Sequence, residues 1–199
     1  MLRAILAFAM FFAMGCETPQ RSYPAAYPSP EAFLSSLKMS ASRSMNEYYD
    51  RLKAATDCEK LPGVCRVFTA RRDAAREMAL FYHSMRDRFG RSGGMAAQGM
   101  ISGAFGGQYD AIEHASVHSG DGDFAVMRIG QDIYRLRYVP GGWRVVQAPS
   151  FEIDPTVTAK AMEVLAARVE EVRRNVVSGR YADIDAVLKA MEQAFTPAG

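Results

Sequence analysis

Residues 117–146 read VHSGDGDFAVMRIGQDIYRLRYVPGGWRVV, and this stretch decides the fold. Across 124–129, 133–139 and 143–146 the pattern has a period of two, every second side chain being apolar and the arginines falling between them, and 115–118 opens the same pattern. Strict alternation marks a strand with one face buried. Gly120-Asp121-Gly122, Gly130-Gln131-Asp132 and Pro140-Gly141-Gly142 are short turns, so the four strands are expected to form an antiparallel meander. One face gathers Ala125, Met127, Ile129, Tyr134, Leu136, Tyr138, Trp143 and Val145, and belongs on a core. The other gathers Phe124, Val126, Arg128, Ile133, Arg135, Arg137, Val139, Arg144 and Val146, half apolar and half arginine.

Outward from the meander the period becomes helical. Ser29-Pro30-Glu31 combines a cap, a first-turn proline and an acid at the positive end of the dipole. Leu34, Leu37, Ala41, Met45, Tyr48 and Leu52 then make one stripe, predicting a single helix to about Thr56. A second helix is predicted over 69–89, with the stripe Ala74, Ala75, Met78, Phe81, Tyr82, Met85 and Phe89 and a stop at Gly90. Its other side alternates arginines, among them Arg71, Arg72 and Arg76, with acids, as a solvated face does. Residues 90–107 hold seven glycines mixed with Met95, Met100, Ile101 and Phe105. They lack the Lys-Ser/Thr ending of a phosphate-binding loop, so a mobile or loosely helical connector, packing as a lid, is expected. Beyond the sheet, Asp154-Pro155 starts a helix with the stripe Val157, Ala161, Leu165, Val172 and Val176. Ser178-Gly179 breaks it, and Ile184, Val187, Leu188, Met191 and Phe195 mark a last helix. The class is α+β: N-terminal helices packed on a four-stranded antiparallel meander over 30–150, then a C-terminal helical hairpin over 151–199.

The run 117–146, with its Gly-Asp turn, basic strand and closing Gly-Gly-Trp-Arg-Val, resembles the last hairpins of nuclear-transport-factor-2-like, cystatin-like α+β domains. The resemblance covers about residues 29–147 and implies a curved sheet wrapped on a long helix, with an open cup. Some members of that family bind small molecules or catalyse isomerisation, dehydration or hydrolysis, and others only dimerise or scaffold. The usual strand pair between the early helices is not evident here, and Cys58 and Cys65 stand in its place.

Residues 1–16 read MLRAILAFAMFFAMGC. Arg3 is a short basic n-region, and 4–14 is an apolar run too short to span a bilayer but long enough for a signal peptide. Ala13, Met14, Gly15 and Cys16 resemble the lipobox of bacterial lipoproteins, with Ala13 where that family usually has Leu. The resemblance implies cleavage after residue 15, lipidation of Cys16 and partnership with a membrane through that lipid. Glu17, rather than Asp, points to the outer membrane, facing the periplasm. Residues 17–30, ETPQRSYPAAYPSP, carry four prolines and little aliphatic bulk, so 16–29 is expected to be a disordered tether. With Cys16 lipidated, Cys58 and Cys65 remain. An even pair flanking Pro62-Gly63, read as a turn, in an exported protein is expected to form a disulfide.

Lys and Arg number 24 against 22 Asp and Glu, a net charge of +2, without the basic excess of a nucleic-acid binder. No catalytic motif stands in the chain. His83, one turn before Asp87, and Tyr109 are the candidates for acid–base work in a cup. The bland alternative is an exposed helix histidine paired to Asp87. His114 and His118 are four apart, and zinc needs a third ligand, for which Glu113 or Asp110 is nearest; nothing enforces one, so no metal and no cofactor are expected. Asp121 and Asp123 lack the other ligands of a calcium loop and read as a hairpin turn. Arg128, Arg135, Arg137 and Arg144 make a basic sheet face, able to meet an anionic partner. Otherwise it is solvated, or covered by the C-terminal hairpin with Glu163, Glu170 and Glu171 paired to it. The expected function is a non-catalytic binding or interaction module at the envelope, with a small molecule or envelope protein as partner. An enzyme with a small-molecule cup is the alternative.

Overall fold

The computed structural model describes residues 26–120, 122–148 and 154–195. Cys16 and most of the expected tether lie outside them, as does Asp121. Helix α1 (Pro30–Arg43) begins as its sequence dictates: Ser29 Oγ accepts from the Ala32 amide at 3.1 Å, with Pro30 and Glu31 in the first turn. The predicted single helix is broken at Ser44, which is extended (φ −168°, ψ 148°). Its N–H donates to the Ser40 carbonyl, ending α1, and its Oγ accepts from the Glu47 amide, starting α2 (Met45–Ala54). Ser44-Met45-Asn46-Glu47 is a capping-box sequence. The stripe runs on through the break, since Met45, Tyr48 and Leu52 are all buried, and so the periodicity hides it.

Helix α3 (Pro62–Glu113) starts earlier and ends later than predicted. Pro62 and Gly63 are its first turn rather than a loop, because proline loses no hydrogen bond there. Cys58 and Cys65 form a disulfide, with Sγ–Sγ 2.03 Å and Cα–Cα 5.7 Å, which ties the short 58–61 segment to that first turn. The predicted stop at Gly90 is a break (φ 66°, ψ −151°), after which the chain resumes as helix. The glycine-rich stretch is therefore helical, one of the two forms expected of it, and Met100, Ile101 and Phe105 pack against a core. Its small residues are what permit this: a Cβ at Gly93 would lie 2.3 Å from the Met85 carbonyl oxygen, so the second limb rests directly on the first.

Strands β1 (Ser116–Ser119), β2 (Phe124–Ile129), β3 (Asp132–Val139) and β4 (Gly142–Gln147) form the expected meander in the order β1-β2-β3-β4, all antiparallel. Ala125, Met127, Ile129, Tyr134, Leu136 and Val145 are buried against Phe33, Leu37, Tyr48, Leu52 and Phe68. Trp143 is partly buried and packs against that core as expected, whereas Tyr138 sits at the tip of the β3–β4 hairpin instead. Tyr138 is half exposed and meets Trp143 edge-on at 5.9 Å. Leu136 pairs with Val145 but Arg135 with Gln147, so Val146 is the extra residue of a bulge.

The outer edge of β4 is closed by two short pairings. Tyr27 exchanges both backbone hydrogen bonds with Trp143, and Val145 bonds to the Ala55 carbonyl and the Asp57 amide. Residues 26–29 are thus not tether: Tyr27 is buried, stacks on Phe33 at 4.7 Å and accepts a hydrogen bond from Ser36. An aromatic ring and a free sheet edge outweigh the proline-rich composition around them.

Asp154 caps α4 (Pro155–Val177) through the Thr156 amide, and α5 (Ile184–Phe195) follows the Ser178-Gly179 break. The two helices build a second core on α3, made of Met78, Phe81, Met85 and Ala97 with Val169, Val172, Val176, Val187 and Met191. The α4 stripe begins at Ala159, buried on Val67 and Ala70, while Val157 is 58% exposed. Glu163 pairs with Arg66 and Glu170 with Arg174, so these acids answer α3 and α4 rather than the sheet.

Candidate functional site

With α4 and α5 on α3, the face of the sheet opposite the core is open. Phe124 is 48% exposed and Ile133 is 41% exposed, with Arg128, Arg135 and Arg137 exposed among them. Register sets the pattern. One row is Phe124, Arg137 and Arg144; the next is His118, Val126 and Arg135; the third is Ser116, Arg128 and Ile133. The Arg137 guanidinium lies 5.3 Å over the Phe124 ring, a cation–π contact. The four strands contain one acid, Asp132, and parity places it on the inner side with Tyr134. Among the described residues, no ion pair closes on Arg128, Arg135, Arg137 or Arg144. Arg137 and Arg144 stand directly opposite each other, a like-charge pairing that disfavours the sheet. Arginine and aromatic side chains without acids are the composition of a binding surface.

Arg144 departs from the flat face. It is partly buried, its Nε has no hydrogen-bond partner, and it lines a cleft of about 590 Å³ between β4, the end of α2 and the disulfide segment.

The predicted acid–base residues do not converge. His83 is exposed and lies edge-on to Tyr82 at 5.4 Å. Asp87 turns to Arg86 at 3.8 Å instead of to His83. Tyr109 is 38% exposed, and partial burial pushes its phenol above the ordinary range. His114 Nδ1 sits 3.5 Å from the Asp110 carboxylate on the surface, and His118 Nε2 faces Ser116 Oγ at 3.4 Å. Among the described residues, no three His, Cys, Asp or Glu side chains stand close enough to hold a metal. The Asp123 carbonyl accepts from the Tyr138 amide and so extends the β2–β3 ladder, while the Gly120 amide donates to the Phe124 carbonyl at 2.9 Å and closes the β1–β2 turn.

One constellation escaped the sequence reading. Tyr48, Tyr49 and Tyr134 are buried together, with Asp132 and Arg71 among them. The Tyr49 hydroxyl donates to Gln108 Oε1 at 2.6 Å. Burial drives all three phenols up, and it pushes the Asp132 carboxyl above its usual range against the pull of Arg71. Arg71 was expected on a solvated face, yet it serves this inner cluster. The adjacent tyrosines Tyr48 and Tyr49 were the available signal, but apolar periodicity counts Tyr48 as core, ignores its hydroxyl and leaves Tyr49 off the stripe.

A raised folded-state pKa means that the native protein binds the Asp132 proton more tightly than the unfolded chain does. The associated stability is full below the unfolded value of 3.8 and is lost as pH rises through the folded one. Asp132→Asn is therefore expected to gain on the parent as pH rises from about 3 towards 6. Thermal melts across that range check it; parallel curves for the two proteins would remove the effect.

No helix among the described residues is long and apolar enough to cross a membrane. Comparison with known protein families, with curated proteins and with solved structures finds no match for this chain.

Proposed function

We propose that this protein is a non-catalytic binding module of the bacterial envelope. It is held by a lipid at Cys16 in the outer membrane, facing the periplasm, and engages an anionic partner through the open arginine face of its sheet. The observation that carries this reading is the outer face itself: three exposed arginines and two exposed apolar side chains, with no strand acid on that face and no described helix over it. The Cys58–Cys65 disulfide suits an oxidising compartment, which an exported chain would reach. The order of helices then meander agrees with the resemblance to nuclear-transport-factor-2-like domains.

The test removes the lipid and reads the face alone. A mature chain carrying Cys16→Ser is sedimented with isolated cell envelopes, beside the same chain carrying Arg128→Glu, Arg135→Glu and Arg137→Glu. The arginine-bearing chain is expected to bind, and to lose at least about tenfold in affinity between low and physiological salt. The triple variant is expected to lose binding while melting within about 0.5 kcal/mol of the parent, as exposed substitutions do. Equal binding by both chains would contradict the reading.

A further inference from the structure

The cleft beside the disulfide has a charge inventory of its own. Its walls are Asp50 and Lys53 from α2, Asp57 and Glu59 from the following segment, Arg72 from α3 and Arg144 from β4. Its volume of about 590 Å³ lies in the range of small-molecule sites. Most of these charges are committed. Arg72 binds Asp50 at 3.3 Å and Asp73 at 2.6 Å. Lys60 binds Asp57 at 3.2 Å, and that hydrogen bond, helped by the Arg144 charge, holds the Asp57 carboxyl below its ordinary range. Two cations remain. Lys53 and Arg144 close no ion pair among the described residues. The Arg144 Nε is buried with no acceptor, and a buried donor of a charged group left unpaired is costly.

From this we infer that the cleft is a site for an oxyanion, the phosphate or carboxylate of a small polar molecule, received by Arg144 and Lys53. A guanidinium presents donors in a fork that matches such oxygens, and a lysine beside it adds a compact charge. The ligand would offset the repulsion of Arg144 from Arg137. The site is built in advance. The disulfide holds the 58–61 segment to α3, and the Ala55 and Asp57 backbone bonds to Val145 hold it to β4, so little ordering remains to be done on binding. The remaining carboxylates, Glu59 above all, favour a molecule that also carries hydroxyl or ammonium groups over a bare polyanion. This inference does not depend on the open sheet face, since Arg128 and Arg135 take no part in it.

Inorganic phosphate is the first probe, titrated calorimetrically into the mature chain at low ionic strength. Saturable single-site binding is expected. Arg144→Ala and Lys53→Ala should each weaken it at least about tenfold, while Arg128→Ala leaves it unchanged. Should Arg144→Ala fold poorly, Lys53→Ala carries the test alone, with its melting temperature as the control. No saturable binding would overturn the site, and so would equal losses on Arg128→Ala, which would mean diffuse surface charge. Competition then separates the sources. Displacement of phosphate by soluble glycerol phosphate places the group on a free molecule, and displacement only by phosphatidylglycerol vesicles places it on a lipid headgroup. Displacement by neither would overturn the inference.

Discussion

Gly93→Ala is expected to cost about 3 kcal/mol, enough to be read directly as a lowered urea midpoint. The added Cβ would sit 2.3 Å from the Met85 carbonyl oxygen and 2.7 Å from the Phe89 Cβ. Neither neighbour is the free end of a flexible side chain, so one limb of α3 must lift off the other. The same substitution a few residues on should do the reverse. Gly99 and Gly103 are exposed on the second limb, with nothing near their Cβ positions. Alanine at either is expected to stabilise by about 0.5–1 kcal/mol through helix propensity. A Gly93→Ala protein as stable as its parent would contradict the close crossing at Gly90, and with it the helical reading of 91–107.

Truncation after residue 153 is expected to have a larger effect. It strips α4 and α5 from α3 and uncovers Met78, Phe81 and Met85, all fully buried in the intact chain. Exposing three such side chains forfeits roughly 5–9 kcal/mol, comparable with the whole stability of a domain. The shortened protein should lose cooperative unfolding and bind hydrophobic dye. A well-folded monomer with an unchanged near-ultraviolet spectrum would mean that the hairpin is a separate unit. The structure puts it in a core shared with α3, so a boundary near 150 separates segments of sequence but not cores.

The meander was legible because alternation and turn glycines agree. Gly122, Gly130 and Gly141 all adopt positive φ, which a side chain would resist, and each sits where the turn was expected. Helix starts were legible for the same local reason at Ser29 and Asp154. What failed was decided by contacts distant in sequence. The glycines of 90–107 argue against helix by propensity, yet Gly93 is helical because the neighbouring limb requires a residue without a side chain. Tyr27 was hidden by prolines and fixed by an edge of β4 more than a hundred residues away. Ser44 carried its capping box openly, but an unbroken apolar stripe outvoted it. For the site, parity alone placed Arg128, Arg135 and Arg137 on one outer face. It could not say that the face stays uncovered, because that depends on where α4 and α5 dock, nor that Arg144 turns into a cleft.

The central claim, that the open arginine face is where this protein meets its partner, is tested most directly by photocrosslinking in living cells. A benzophenone amino acid is placed at Phe124 or Ile133 on that face, and at Met95 or Val157, which are more accessible still, being 66% and 58% exposed. Discrete crosslinked products are expected from Phe124 and Ile133, lost on reversing Arg128, Arg135 and Arg137, and none from Met95 or Val157. Products from Met95 or Val157 alone would contradict it and move the binding surface to the helices.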